Sequence, residues 1–224
     1  MSCAIGLPRK PACAVSDRAH ACVTCLKPMQ RQSEKNMQQR QKQSVILVGM
    51  MASGKSTVGA ELARRLGWDF FDTDEVIAKE KGKPVSQIFA EEGEAEFRCH
   101  ETRTLAELTN LNRVVIATGG GVPMFEVNQK LLSRGFVVQL VVRVSDVLER
   151  TRNDTSRPLL QGDNPLEKIR SLLIERTPIY DAVSDKKVSV SRRTPNEIAE
   201  EILADVRIQD MIVASKSTER KDND

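Results

Sequence analysis

Beyond its first 43 residues, this sequence is poor in cysteine and has no long hydrophobic run. Of five cysteines in 224 residues, Cys3, Cys13, Cys22 and Cys25 lie near the N-terminus, and Cys99 stands alone in the remainder. A single thiol cannot form a disulfide framework, so the composition predicts a protein of a reducing compartment, the cytoplasm. No run of about 18 apolar residues occurs, which excludes a membrane-spanning helix.

The sequence also lacks a basic excess outside its N-terminal segment. Residues 1–44 carry eight Lys and Arg against two acidic residues, whereas the remaining residues carry 26 basic and 29 acidic groups. A mildly acidic body disfavours binding to a nucleic-acid backbone. We therefore expect a monomer that acts on small molecules and has neither nucleic-acid nor membrane partners.

Residues 1–43 show no apolar periodicity and end in the Gln-rich run QRQSEKNMQQRQKQ. Such polar composition predicts a disordered extension. No apolar segment of 7–15 residues is present, which disfavours a secretory signal, whereas a silent extension and organelle targeting stay open. A zinc set of Cys13, His20, Cys22 and Cys25 is the alternative, but a second closely spaced ligand pair is missing.

From Val45 onward, short apolar runs alternate with amphipathic segments. The apolar runs predict buried parallel strands at 45–49, 68–72, 114–119, 136–142 and 187–191. The segments between them predict helices at 54–66, 73–81, 86–92, 94–111, 126–134, 145–152, 165–182 and 195–208, the last beginning with a capping box at Thr194. This alternation predicts one doubly wound α/β domain over residues 44–208, with helices on both faces of a parallel sheet and a polar tail at 209–224.

The segment GMMASGKS, residues 49–56, matches the phosphate-loop pattern G-x-x-x-x-G-K-[ST] between an apolar strand and a helix. Backbone N–H groups of such a loop and the helix N-terminus bind phosphate oxygens. Lys55 is expected to contact the outer phosphates of ATP, and the Ser56 hydroxyl to bind Mg²⁺. The predicted ATP-binding residues of this loop are Gly49, Ala52, Ser53, Gly54, Lys55, Ser56 and Thr57.

Two carboxylates and three glycines follow the next strands of the predicted sheet. Asp72 and Asp74 lie where the strand at 68–72 ends, and the carboxyl ends of parallel strands line the ligand crevice. One carboxylate is a candidate for the metal shell and the other for substrate hydroxyls; the alternative is an N-cap pair for the next helix. Three successive glycines at 119–121 cost conformational entropy, which indicates close approach of a ligand to the backbone.

Six motifs occur together and in order: GKST at 54–57, FFDTD at 70–74, GEAEFR at 93–98, GGG at 119–121, RPLL at 157–160 and RTPIY at 176–180. As a set they resemble the shikimate kinase family of phosphate-loop small-molecule kinases, over residues 45–204. The resemblance implies a five-stranded parallel core, a shikimate-binding helical segment after the second strand and a mobile lid at about 151–163. It also implies Mg²⁺-dependent transfer of phosphate from ATP to the 3-hydroxyl of shikimate, in aromatic amino acid biosynthesis.

The resemblance implies roles for residues on the shikimate side. Asp74 would hold the shikimate hydroxyls, and Arg98 and Arg176 would grip its carboxylate beside the glycines at positions Gly119, Gly120 and Gly121. Arg forks bind carboxylates bidentately. Without the resemblance, the residues themselves favour a plainer interpretation: Arg98 as an i,i+4 partner of Glu94 on an exposed helix, and Arg176 as a solvated surface residue.

Further implied roles concern ATP and the metal. The implied catalytic residues are Lys55, Asp74 and Arg157, and Arg157 would reach the transferring phosphate from the lid. Asp72 would belong to the outer shell of the metal, with Ser56 as its other protein oxygen. Arg150, and Arg193 with Pro195, would contact the adenine side of ATP.

Ala52 departs from the family pattern, in which glycine is usual at that position. If the position requires a positive φ, alanine costs on the order of 1 kcal/mol, so we expect an altered loop rather than a lost site. Two rival functions are another small-molecule kinase, such as gluconate kinase, and a non-catalytic nucleotide-binding module. The GGG and RTPIY motifs argue against the first rival, and the complete set of charged motif residues argues against the second.

Overall fold

The computed structural model describes residues 43–152 and 164–221. Within them the strands are β1 (Ser44–Val48), β2 (Asp69–Asp72), β3 (Val114–Ala117), β4 (Phe136–Val141) and β5 (Lys186–Ser189). The helices are α1 (Lys55–Leu66), α2 (Thr73–Lys81), α3 (Val85–Leu108), α4 (Glu126–Leu132), α5 (Val144–Thr151), α6 (Pro165–Val183), α7 (Pro195–Leu203) and α8 (Val206–Lys221). The predictions for the N-terminal extension, for its zinc set, for Arg157 and for nearly all of the lid lie outside the described residues.

The strands form one parallel sheet in the order β2-β3-β1-β4-β5. β1 lies at its centre, where Ile46 is in register with Ile116 of β3 and Val137 of β4. Every residue of β1 and β3 is buried, as expected for strands covered on both faces. The predicted five-stranded parallel core is therefore confirmed, and the loops after β1, β2 and β3 lie side by side at one edge of the sheet.

Alternate residues of β1 point to opposite faces of the sheet, as the period of a strand requires. Val45 and Leu47 join a core cluster that includes residues of α1, α5, α6, α7 and α8. Ile46 and Val48 join a second cluster with residues of α3 and α4. Helices therefore cover both faces, and this packing fixes the positions of the loops at the carboxyl ends of the strands.

The first helical segment after β2 has a small core of its own. Ile77, Ile88 and Phe97 are buried against one another in a part of the chain that we name the helical arm, residues 73–98. Gly93, with φ 81° and ψ 169°, interrupts the helical geometry of α3 within this arm. The prediction of two helical pieces that meet at position 93 agrees with this kink.

The predicted helix at 195–208 is interrupted in the structure. Its capping box at Thr194 is present, but α7 ends at Leu203. Asp205 then accepts a hydrogen bond from the backbone N–H of Arg207 at 3.1 Å, which is the interaction that an N-cap residue makes. A local side-chain hydrogen bond thus caps the start of α8 just after α7 ends.

Residues 209–221, predicted as part of a polar tail, continue α8 in the structure. Ile208 and Met211 are buried in the core cluster that also contains Val45, and Ile212 packs against it. These apolar contacts dock the first turns of α8 on the domain. None of the described helices combines the length and the apolar character needed to cross a membrane.

Candidate active site

The loop at 49–56 joins β1 to α1 and contains two glycines with positive φ. Gly49 has φ 140° and Gly54 has φ 87°. Ser53 donates its backbone N–H to the Met50 carbonyl at 3.2 Å, which closes the turn, and Gly54 is the N-cap of α1. The free N–H groups and the positive dipole end at such a helix start favour an anion in the loop.

Lys55 lies inside this loop and is 9% exposed. Its Nζ donates to the carbonyl oxygens of Gly49 at 3.0 Å and Met50 at 2.8 Å, and to Ser53 Oγ at 3.4 Å. A buried ammonium requires such acceptors to offset its loss of hydration. These contacts hold the Lys55 charge where the phosphates of a nucleotide would lie.

Ala52 adopts the left-handed conformation that the sequence analysis considered, with φ 57°. Its carbonyl oxygen accepts a hydrogen bond from Arg150 Nη1 at 2.9 Å. For a residue with a Cβ atom this conformation costs about 1–2 kcal/mol. The loop therefore keeps its shape at a local cost, and Arg150 helps to hold it.

We expect Ala52→Gly to stabilise the protein by about 0.5–1 kcal/mol, because the relief of left-handed strain exceeds the extra entropy that glycine gives to the unfolded chain. Urea unfolding measures the change. Ala60→Gly is the matched control, since Ala60 is exposed in the middle of α1 and its replacement should destabilise by about 1 kcal/mol. A loss of stability in Ala52→Gly would contradict the prediction.

Asp72 connects the phosphate loop to the helical arm. Ser56 donates its hydroxyl to Asp72 Oδ2 at 2.5 Å, and the other carboxylate oxygen accepts from the backbone N–H of Asp74 at 3.0 Å. Asp72 is thus the N-cap of α2, which agrees with the N-cap interpretation of the Asp72–Asp74 pair. Its carboxylate also accepts a hydrogen bond from Ser56, as the metal-shell interpretation needs. A hydroxyl beside a carboxylate is an oxygen donor set of the kind that Mg²⁺ binds together with substrate phosphates.

The first of the three glycines lies against two carboxylates. A Cβ atom on Gly119 would lie 2.3 Å from Glu101 Oε1 and 3.0 Å from Asp74 Oδ1. The Gly119 N–H donates to Thr73 Oγ1 at 3.0 Å, which ties the loop to the start of α2. A side chain at this position would displace these carboxylates, so their close approach favours glycine.

Arg98 lies against the last of the three glycines. Its Nη1 donates to Glu101 Oε2 at 2.6 Å and its Nη2 to Glu94 Oε1 at 2.8 Å. A Cβ atom on Gly121 would lie 2.6 Å from Nη1. The i,i+4 pair with Glu94 therefore exists, but the Arg98 side chain is only 15% exposed and points at the glycine loop rather than into solvent.

Arg176 lies on α6, the helix that contacts the glycine loop through Tyr180. It is 8% exposed and lies one turn before Tyr180, whose hydroxyl donates to the Gly120 carbonyl at 2.6 Å. Burial raises the pKa of Tyr180, which keeps the phenol in its donating form. Among residues 43–152 and 164–221, Arg176 Nε has no hydrogen-bond acceptor. A buried guanidinium with an unused donor favours an anionic ligand.

Glu101 is a site residue that the sequence analysis missed. It is 1% exposed and lies between Arg98 and Gly119. Burial raises the pKa of Glu101 to about 7; the Arg98 guanidinium opposes this shift, and the Asp74 carboxylate adds to it. The three-residue spacing from Arg98 places both on one helix face and was the available signal, but it does not indicate burial.

The raised pKa of Glu101 predicts a pH-dependent stability. The folded protein holds this proton where the unfolded chain, with a pKa of 4.5, has lost it. The unfolding free energy of wild type relative to Glu101→Gln should therefore fall by about 2–3 kcal/mol between pH 5 and pH 8 and level off above pH 7. Urea unfolding at several pH values measures this difference.

Glu94→Gln is the control for this experiment, because Glu94 binds the same guanidinium and its side chain is 61% exposed. Its stability difference from wild type should stay within about 0.5 kcal/mol across the pH range, as for an exposed helix pair. A flat profile for Glu101→Gln would show that Glu101 does not hold its proton near neutral pH.

A cleft of about 400 Å³ runs from the phosphate loop past Asp72 and Asp74 to a region bordered by Arg150, Arg193 and Pro195. Gly119 and Gly120 line it, whereas Gly121, Arg98 and Arg176 are not among its lining residues. Arg193 also donates to the carbonyl oxygens of Ser189 at 3.2 Å and Glu197 at 2.9 Å and pairs with Glu201. Its guanidinium therefore stabilises the start of α7 as well as bordering the cleft. The cleft is thus lined by most of the residues predicted to bind ATP and by Asp74, Gly119 and Gly120 of the predicted shikimate site.

These features define a phosphate-loop nucleotide-binding protein with an α/β fold. The central parallel strand leads into a loop with the GMMASGKS sequence, and Asp72 at the end of β2 accepts a hydrogen bond from Ser56 of that loop. A binding crevice at the carboxyl ends of the strands is the general arrangement of open α/β sheets.

The family model described as shikimate kinase matches residues 51–207, and the chain belongs to this family. A shikimate kinase of Microcystis aeruginosa is 47% identical over 161 residues, which are 71% of this chain and 84% of the relative. One of Halorhodospira halophila is 46% identical over 160 residues, which are 71% of this chain and 90% of the relative. The solved shikimate kinase from Acinetobacter baumannii, in complex with shikimate, has 42% identity and a TM-score of 0.70, and covers 71% of this chain and 90% of its own.

Proposed function

We propose that this protein transfers the γ-phosphoryl group of ATP to the 3-hydroxyl of shikimate and releases ADP and shikimate 3-phosphate. Membership of the shikimate kinase family supports this activity over gluconate phosphorylation and over nucleotide binding without catalysis. The observation that carries the proposal is the arrangement around the glycine loop. Arg98 lies against Gly121, Asp74 lies near Gly119, and the buried Arg176 is one helical turn before Tyr180, whose hydroxyl binds the Gly120 carbonyl. The product serves aromatic amino acid biosynthesis.

The glycine loop and its neighbours form the shikimate site in this proposal. Arg98 and Arg176 bind the carboxylate, which Arg can do with two parallel hydrogen bonds. Asp74 accepts hydrogen bonds from the ring hydroxyls at the opposite end. The backbone at 119–121 lies along the ring, and the missing side chains there leave the necessary space. Such a site distinguishes shikimate from neutral polyols.

The phosphate loop binds the triphosphate of ATP in this proposal. Its N–H groups and Lys55 contact the phosphate oxygens, and Arg150 with the 193–195 segment borders the adenine end. Ser56 and Asp72 are the protein oxygens that would hold Mg²⁺, directly or through water. When bound, the cation neutralises charge on the transferring phosphate.

Phosphoryl transfer passes through a loose transition state, so positioning contributes more than a strong base. Asp74 orients the 3-hydroxyl in line with the γ-phosphorus and accepts its proton late in the reaction. Asp74 is suited to this task because it lies in the first turn of α2, where its backbone N–H donates to Asp72, the carboxylate that accepts from Ser56. Lys55 stabilises charge on the phosphate oxygens, and we assign the same role to Arg157.

The remaining parts of the proposal concern organisation. The kinase domain spans residues 44–208, its lid occupies about 151–163, and closure of the lid excludes water so that the acceptor is a hydroxyl. We further propose that the protein acts as a cytoplasmic monomer and that residues 1–43 take no part in catalysis.

One coupled assay tests the proposed function. ADP release should depend on added shikimate, with little ATP hydrolysis in its absence, because the site is organised for a hydroxyl acceptor. Gluconate, the substrate of the rival kinase class, should not stimulate ADP release. Equal rates of ATP consumption with and without shikimate would refute the proposal.

A further inference from the structure

A hydrogen bond joins the two walls at the adenine end of the cleft. Ser191, in the turn between β5 and α7, donates its hydroxyl to Asp146 Oδ2 at 2.5 Å. Asp146 lies in the first turn of α5, and its Oδ1 accepts a hydrogen bond from Ser145 at 3.2 Å. The Ser191–Asp146 bond, which we name the brace, connects residues 45 positions apart. It is therefore a tertiary contact between two separate elements.

Each partner of the brace is close in sequence to residues that border the cleft. Arg150 lies four residues after Asp146 on α5, and residues four apart lie on one face of a helix. The 193–195 segment follows Ser191 in the same turn and borders the cleft from the other side. Arg150 also donates to the Ala52 carbonyl of the phosphate loop. The brace therefore links the α5 wall to the wall formed by 193–195.

The brace is a charge-assisted hydrogen bond. The Ser191 hydroxyl is the main cause that lowers the pKa of Asp146, and Ser145, Arg150 and Arg143 add to the effect. Asp146 therefore remains ionised at neutral pH. Hydrogen bonds to ionised acceptors are roughly twice as strong as neutral ones, so this contact resists separation of the two walls.

We propose that Asp146 and Ser191 are positioning residues for the nucleotide: their hydrogen bond holds α5 and the β5–α7 turn at the separation that the adenosine part of ATP requires. Neither side chain needs to touch the nucleotide, because Arg150 and the 193–195 segment form the walls. The inference rests on the proposed function in one respect, namely that this cleft binds an adenine nucleotide.

The test compares Ser191→Ala with Ser191→Thr in the full-length protein. Ser191→Ala removes the donor with a minimal change in volume, and we expect ADP affinity, measured by calorimetry, to fall about tenfold, as for one hydrogen bond to a charged group. The KM for ATP should rise by the same factor, while kcat and the KM for shikimate stay within about twofold. Ser191→Thr keeps a hydroxyl and should restore ADP affinity.

Ser145→Ala is the matched control, because it removes the other hydroxyl on Asp146 and leaves the brace intact. Its ADP affinity should equal that of wild type. The double variant Asp146→Ala/Ser191→Ala should bind ADP no more weakly than Asp146→Ala alone, since the second change removes a bond that is already lost.

Three outcomes would contradict the proposed role of the brace: unchanged ADP affinity in Ser191→Ala, additive losses of ADP affinity in the double variant, or equal rises in the KM values for ATP and shikimate. The last would indicate general loosening of the domain. Calorimetry with ADP needs no shikimate. A wild-type protein that binds ADP but shows no shikimate-dependent turnover would therefore refute the proposed function and still leave the brace testable.

Discussion

Asp74→Ala should lower kcat by about 10²- to 10⁴-fold, the contribution typical of a positioned acid–base group. The Asp74 carboxylate lies in the first turn of α2, and a Cβ atom on Gly119 would be 3.0 Å from its Oδ1. Asp74 therefore lies where the proposed phosphate and shikimate sites meet. Loss of this group removes the acceptor that orients the hydroxyl but leaves the phosphate loop intact. ADP affinity by calorimetry should stay within about threefold of wild type.

Glu75→Ala is the control for this variant, because Glu75 is the next residue in the first turn of α2 and is exposed. It should retain wild-type kcat and lose no more than about 1 kcal/mol of stability from its favourable position near the helix N-terminus. Near-normal turnover in Asp74→Ala, measured by shikimate-dependent ADP release, would exclude the catalytic role of Asp74.

Arg176→Met should raise the KM for shikimate by about 10- to 100-fold, the equivalent of one or two hydrogen bonds to a charged group. Methionine retains the packing of the long side chain in this buried position and removes only the charge and the donors. The KM for ATP should change by less than about threefold, since Arg176 does not border the nucleotide cleft. Steady-state kinetics with each substrate varied in turn provide both values.

Arg170→Met serves as the matched control, because Arg170 lies on the same helix with a side chain that is 53% exposed and paired with Glu167. It should leave both KM values unchanged. A shikimate analogue with a hydroxymethyl group in place of the carboxylate should bind wild type weakly and Arg176→Met about as weakly. If wild type binds shikimate and this analogue equally well, Arg176 does not recognise the carboxylate.

The elements that build the sheet were predictable because their signals are local. The apolar runs at 45–49 and 114–119 are buried strands because nearly every residue in them is apolar, which only a doubly covered strand tolerates. The capping box at Thr194 formed as expected, since its partners are three residues apart. The sequence analysis considered that position 52 could require a positive φ, and Ala52 has φ 57° in the structure.

The predictions that failed or were missing depend on distant contacts. The continuation of α8 through residues 209–221 was not predicted, because Ile208 and Met211 dock the beginning of this polar helix on a core that is distant in sequence. Glu101 was not selected because an acidic residue three positions after Arg98 resembles any exposed helical pair. Its importance comes from burial against Gly119, which the helix pattern cannot indicate.

The amino-acid sequence by itself determines the phosphate loop, the order of strands and helices, and the family resemblance. Each element and each motif is encoded by residues within a few positions of one another, and the resemblance rests on the set of these local motifs. The tertiary structure decides which groups that are distant in sequence meet. These are Glu101 with Gly119, the α6 helix of Arg176 with Gly120 through Tyr180, and Ser191 with Asp146. These pairs are joined by packing of helices on the sheet. A buried charge acquires a shifted pKa or an unused donor only when that packing removes it from water.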